Sequence, residues 1–453
     1  MFKTFINAFK VKDIRNKLLF TLLMLVIVRL GCQIASPGIN QEFVKQMMES
    51  LFGTDGNGGL GILGAFTGGS FERMSIFALN ITPYITSSII MQLMTIAIPK
   101  LEEMQNEGED GRKKIASITR YVTVALALIE SGAMAIGFGS QGLLTEYNAL
   151  NVITVIAAMT AGSAFLMWAG ERITEKGVGN GISIVLIINI ISSFPQDAKT
   201  LFEQFVKKEG SVAVGVLNAV IIIAVVLVLI VMVIFLSDGT RKIPLQYAKK
   251  IQGNKMMGGN TSSIPIKINT AGVIPVIFAS SILQFPIIIS NMAGFNGSAK
   301  AETGFWGWGY IWGEALKFMN ARYWFNKNDM IYTIGIIVYV VLVIFFAYFY
   351  TSITFNPVEI ATNLKKAGGF VPGIRPGKPT SDYLNTVLNY VIFIGAVGLT
   401  IIAVYPYIFS GLFGASVSFG GTSIIIVVGV IIETVKQVES QMLVRNYKGF
   451  LND

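Results

Sequence analysis

Apolar and polar positions fall along this chain in long blocks rather than at the alternating spacing of a soluble helix or strand. Ten apolar runs, bounded by charged or Gly/Pro-rich breaks, cover 18–36, 74–98, 117–138, 152–170, 180–194, 212–236, 271–293, 331–353, 384–409 and 422–440. As helices rising about 1.5 Å per residue, runs of roughly 20 residues cross about 30 Å of hydrocarbon. The pattern predicts an all-α polytopic membrane protein. The fifth run, "GISIVLIINIISSF", is short and needs protein rather than lipid around its ends. The seventh holds Pro275 and Pro286 and is expected to kink.

One stretch breaks the pattern. "GGLGILGAFTGGSFERMSIFALNITPYITSSIIMQL", residues 58–93, begins as a span, stops at Gly68 and Gly69 and at Glu72 and Arg73, and begins again. The restart at Met74 is expected to open the second spanning helix. What precedes it is too short to cross.

Composition narrows the chemistry. Of 453 residues, 53% are hydrophobic and only 13% charged, against roughly a quarter charged in a soluble domain. Histidine is absent and Cys32 is the single cysteine. An internal disulfide, a Cys/His metal cluster and a histidine-based nucleophile relay are therefore excluded. No Gly-x-x-x-x-Gly-Lys-[Ser/Thr] loop is present to hold a nucleotide. The sequence assigns no catalytic residue, metal or cofactor, and any energy must come from another molecule.

The formal charge of +9 fits nucleic acid, anionic lipid or a topological bias equally well, and its distribution decides. With the N-terminus inside, the inner segments collect Lys10, Lys12, Arg15, Lys17, Lys100, Arg112, Lys113, Lys114, Arg172, Lys176, Arg241, Lys242, Lys436 and Arg445, among others. The outer segments hold few, such as Lys45, Arg73 and Lys199. Both termini are expected to be cytoplasmic. Basic residues before "LLFTLLMLVIV" have the look of a signal peptide, but Arg29 and the spans behind it favour a retained first helix.

Two inner loops, 237–270 and 354–383, exceed ordinary connectors. Their Gly, Pro and interleaved apolar residues predict ordered, hairpin-like projections with basic tips. On the opposite side, segment 294–330 carries Trp306, Trp308, Trp312, Tyr323 and Trp324, the composition of an interfacial belt.

Polar groups inside spans are costly and mark function or pairing. Arg29 and Glu130 lie at matching depths of the first and third spans, so a structural ion pair is expected ahead of a proton relay. Thr82, Thr86, Ser87, Ser88 and Gln92 of the second span, and Ser280, Ser281 and Gln284 of the seventh, suit interhelical hydrogen bonds. Ile81 with Ile85, and Ile182 with Leu186, share helix faces at i, i+4 and read as packing.

Taken together, "FERMSIFALNITPYITSSIIMQL", "EGEDGRKKI", "FLMWAGERITEKGVGNGISI", "AGVIPVIFASSI", "FNPVEIATNLKKAGGFVPGIRPGKPT" and "FGGTSIIIVVGV" resemble the SecY family, in order and over essentially the whole chain. The resemblance implies ten helices in two pseudo-twofold halves, 1–195 with spans one to five and 196–453 with spans six to ten, around an hourglass pore. A re-entrant plug helix is implied at about 59–70, comprising Leu60, Gly61, Ile62, Leu63, Gly64, Ala65, Phe66 and Thr67, with Gly68 and Gly69 as its hinge. The pore ring falls by position on Ile81, Ile85, Ile182, Leu186, Ile277 and Ile426. Spans two and seven are implied to form a lateral gate, placing Ser87, Ser88, Gln92, Ser281 and Gln284 along its seam.

The same resemblance makes the two basic loops docking sites for the SecA ATPase and the ribosome, through Arg241, Lys242, Lys249, Lys250, Lys365, Lys366 and Arg375. Further implied partners are SecE-type and SecG-type small membrane subunits, signal sequences with their secretory or membrane-protein clients, and anionic lipids. The implied location is a bacterial plasma membrane. Two other classes remain open on the residues alone. A small-solute transporter shares the spans and the charge bias but needs ion-binding groups near mid-membrane, where this chain places aliphatics. An intramembrane hydrolase lacks a nucleophile and base pair.

Overall fold

Each apolar run holds a helix in the computed structural model, which describes residues 9–52, 68–71, 73–139, 142–203, 212–247, 250–252, 255–257, 261–292, 308–320, 323–324, 330–413 and 421–449. In chain order the helices are α1 (Lys12–Gly31), α2 (Gln41–Phe52), α3 (Thr82–Ala97), α4 (Pro99–Asn106), α5 (Glu109–Gly137), α6 (Ala149–Lys176) and α7 (Gly181–Phe202). After them come α8 (Val212–Asp238), α9 (Ile274–Met292), α10 (Trp308–Met319), α11 (Ile334–Thr354), α12 (Pro357–Lys366), α13 (Lys378–Phe413) and α14 (Gly421–Gly449). Among the described residues, six helical stretches are long and apolar enough to cross a membrane alone, and a seventh arises if α3 and α4, bent by 107°, count as one. The chain is a multi-pass membrane protein.

Two expected boundaries move for reasons that lie in proline and glycine. The second spanning helix begins at Thr82, not Met74. Residues 73–81 form turns, with Met74 and Asn80 at positive φ of 44° and 51°. Pro83 in the first helical turn accounts for the start, because proline is tolerated there and disfavours helix before it. Pro275 likewise sits in the first turn of α9, where its missing N–H costs nothing, and only Pro286 lies inside that helix.

The fifth run, expected to be short, extends beyond its apolar part into a helix of 22 residues, α7, which packs against α1, α6 and α14. Close approach depends on Gly162 of α6, whose Cβ would stand 2.0 Å from the Ile76 carbonyl oxygen. A second apolar cluster joins α8, α9, α11, α13 and α14 through Val233, Val276, Ala279, Tyr339, Val343, Leu399 and Ile425. Trp324 is 4% exposed and closes one end of it, meeting Tyr407 edge-on at 5.0 Å while its indole N–H donates to the Phe318 carbonyl at 2.9 Å. This tryptophan is therefore a core residue and not part of an interfacial belt.

The 237–270 loop folds as a hairpin of β1 (Thr240–Tyr247) and β4 (Thr261–Lys267), paired from Thr240↔Lys267 to Gln246↔Thr261. Between them lie the short paired strands β2 (Lys250–Gln252) and β3 (Lys255–Met257). From the second long loop, β5 (Gly369–Phe370) adds to β1, giving the order β4-β1-β5. Ile243, Leu245 and Ile266 seat this sheet on Leu364, Val371, Leu384 and Leu388.

Candidate functional site

Aliphatic side chains at or beside the ends of four helices are the expected ring residues. Ile81 precedes the first turn of α3 and Ile85 follows one turn later, Ile182 opens α7, Ile277 lies in the first turn of α9, and Ile426 lies in α14. Ile81 and Ile426 belong to one apolar cluster, against which Ile85, Ile182 and Ile277 pack. Leu186 is buried one turn beyond Ile182. None of the six is exposed. Five of the expected ring residues are thus brought together, although they come from positions as distant as 81 and 426. Side chains of this kind offer water no hydrogen-bond partner.

Leu60 to Thr67 lie outside the described residues. The glycines that follow them are described: Gly68 and Gly69 have φ of 60° and 79°. A Cβ on Gly68 would also come within 2.7 Å of the Asn189 carbonyl oxygen, so glycine is required by both backbone and space. Arg29 finds its partner here. Its Nη1 donates to the Gly68 carbonyl at 2.9 Å. The expected pair with Glu130 is not formed; the guanidinium bonds the Gly68 turn.

The polar seam is also redistributed. Ser87 is fully buried but meets Thr123 of α5 at 2.6 Å, so it stitches α3 to α5 rather than facing α9. Ser280 bonds back to the Val276 and Ile277 carbonyls of its own helix. Ser88 and Gln92 are half-buried on α3, and Ser281 is exposed on α9. Gln284 belongs to α9, but its side chain lies outside what is described. Instead, Ile89 of α3 packs against the cluster containing Val276, Phe278, Ala279 and Leu283 of α9.

On the basic side, Arg241 and Lys242 stand exposed on β1 opposite Ile266 and Pro265. Lys365 and Lys366 close α12, and Arg375 lies exposed in the turn after β5, where its carbonyl accepts from Thr380 Oγ1 at 2.8 Å. Lys250 starts β2, and Lys249 is outside the described residues. Because β5 pairs with β1, the residues from both loops share one platform. The brief strand Gly369–Phe370, after the turn at positive-φ Gly368, makes that pairing.

The family model for SecY matches residues 75–435. A protein named as a protein translocase subunit SecY from Streptomyces galbus is 43% identical over 463 residues, covering 100% of both chains. Its namesake from Mycobacterium bovis is 39% identical over 463 residues with the same coverage. Among solved structures, one described as a protein conducting channel aligns with TM-score 0.57 at 17% identity, covering 94% of this chain and 92% of the other. Another, described as showing that the SecY plug domain stabilises the closed state, aligns at 0.60 with 18% identity over 94% and 92%. A canine ribosome-channel complex from the endoplasmic reticulum aligns at 0.53 with 15% identity over the same shares.

Proposed function

Because the chain belongs to the SecY family of protein translocase subunits, we propose that it is the channel subunit of a bacterial plasma-membrane translocase. It passes unfolded secretory polypeptides through the aliphatic waist and releases apolar segments sideways between α3 and α9. The observation carrying this reading is the convergence of Ile81, Ile85, Ile182, Ile277 and Ile426 on one cluster. Branched aliphatics seal against ions, yet deform around a peptide without gripping any sequence, because dispersion contacts carry no directional demand.

Sideways release needs a seam that separates, and the apolar packing of Ile89 against the cluster that includes Val276 and Ala279 of α9 favours that. An incoming apolar helix offers α9 an equivalent surface, so exchange is near neutral, whereas buried polar pairs would have to be broken. Residues 60–67 act as the plug, ending at the Gly68 turn. The two basic loops dock SecA or the ribosome through Arg241, Lys242, Lys249, Lys250, Lys365, Lys366 and Arg375. Contacts with ribosomal RNA are backbone-directed and salt-dependent. SecE-type and SecG-type subunits, signal sequences and anionic lipids complete the partners, with both termini cytoplasmic.

Replacing Ile85 with Asn tests the waist. The resting channel then conducts ions in a planar bilayer, and unchanged conductance would remove Ile85 from the constriction.

A further inference from the structure

Buried polar side chains meet where the turns before α3 touch α1 and α7. Asn189 of α7 is 0% exposed. Its Nδ2 donates to Asn80 Oδ1 at 3.1 Å, and its Oδ1 accepts from Cys32 Sγ at 3.8 Å. One turn on, Ser192 Oγ lies 2.7 Å from the Asn189 carbonyl and 3.5 Å from that of Gly68, which also receives Arg29. Ser70 Oγ donates to the Phe77 carbonyl at 3.0 Å, and Ser163 Oγ of α6 to the Asn80 carbonyl at 3.1 Å.

Such groups in a membrane protein often stitch two helix bodies together. Here they hold turns. Residues 68–70 and 73–80 belong to no helix, so no i to i−4 ladder sets their place. Asn80, at φ 51°, immediately precedes Ile81. Whatever fixes Asn80 therefore fixes where Ile81 stands in the waist. Aliphatic packing alone gives no such register.

We propose that Asn189 is a positioning residue for the resting channel: with Ser192 and Arg29 it latches the 68–70 turn and the Asn80 turn to α7 and α1, and so keeps Ile81 in the ring. The latch rests on the channel reading above. It releases reversibly, because a hydrogen bond exposed by an entering peptide is exchanged for one to water at small net cost. The two ends are coupled through α7, so disturbing either turn loosens the other.

The test uses the full chain reconstituted with its SecE-type partner, comparing wild type with Asn189→Leu and Asn80→Gly. Leucine keeps the branching of asparagine and removes the hydrogen bond to Asn80 Oδ1. Glycine accepts the positive φ at no steric cost, so this variant keeps its fold even if the first does not. Each variant raises resting ion conductance about tenfold, the population shift expected for one lost buried bond. ATP-driven uptake of an intact precursor stays within about twofold, and uptake of one with a shortened apolar signal increases, a gain that no folding defect produces. The double variant leaks less than the two single effects multiplied, because both singles remove the Asn80–Asn189 bond. Wild-type uptake with resting variants as tight as wild type overturns the latch alone. Absent uptake by wild type overturns the channel reading beneath it.

Discussion

Gln246 of β1 pairs with Phe370 of β5, and through that pairing two loops more than a hundred residues apart in sequence become one surface. The side chain of Arg375, five residues beyond Phe370, is exposed, and its carbonyl accepts from Thr380 Oγ1. Arg375→Glu therefore leaves thermal stability unchanged while reducing SecA-driven uptake at least tenfold. Melting temperature and uptake, measured on the same preparation, check both halves of that statement. A parallel fall in both would assign Arg375 to folding.

Ser87 and Thr123 share a buried hydrogen bond at 2.6 Å. Thr123→Val leaves Ser87 with its own-helix carbonyls, at 2.6 Å and 3.2 Å, as acceptors. The expected loss is about 1 kcal/mol of stability, with no change in the partitioning of an apolar test segment into lipid. Altered partitioning at unchanged stability would return Ser87 to the gate.

Gly162 has no room for a methyl group, since its Cβ would lie 2.0 Å from the Ile76 carbonyl oxygen. Gly162→Ala forces α6 away from the 73–81 turns, at an overpacking cost of about 1–3 kcal/mol. A lowered melting temperature, together with raised resting conductance, is expected, because the displaced turn carries Ile81. Gly132, whose Cβ would meet only Ile156 Cδ1 at 3.8 Å, is the matched control and tolerates alanine.

Reading the sequence located the helices because each apolar run is its own signal. Most of what it missed comes from contacts between distant segments. The Arg29 and Glu130 depths suggested a pair, but a carbonyl freed by the Gly68 turn is a nearer acceptor. Ser87 could face any of several neighbours, and only packing selects Thr123. Trp324 lies in an aromatic-rich segment, which suggested an interface, until the tertiary fold brought Tyr339 and Tyr407 around it. One miss was local and legible: Pro83 already argued for a helix starting at Thr82. Asn80 and Asn189 carried no motif, and their relation appears only when α7 crosses the turn.

Glu314 of α10 accepts from Lys317 Nζ at 2.7 Å and from Tyr332 Oη at 2.7 Å. The hydrogen bond from Lys317, reinforced by that from Tyr332, holds its carboxyl below the usual carboxylate range. A depressed folded-state pKa gives stabilisation that is present above the unfolded pKa and lost as pH falls through the folded one. Glu314→Gln consequently lowers the melting temperature slightly at pH 7, and the difference from wild type closes as the solution is acidified below the carboxylate range. A difference independent of pH would mean that packing, not charge, fastens α10.

The proposed function requires that a polypeptide, rather than a small solute, crosses the aliphatic waist. The direct measurement is ATP-dependent uptake of a radiolabelled precursor, scored by protease protection, into vesicles containing this chain, its SecE-type partner and SecA. Protected full-length precursor that requires ATP and is lost with Arg375→Glu is the predicted result. Vesicles that protect no precursor but accumulate small solutes would contradict it.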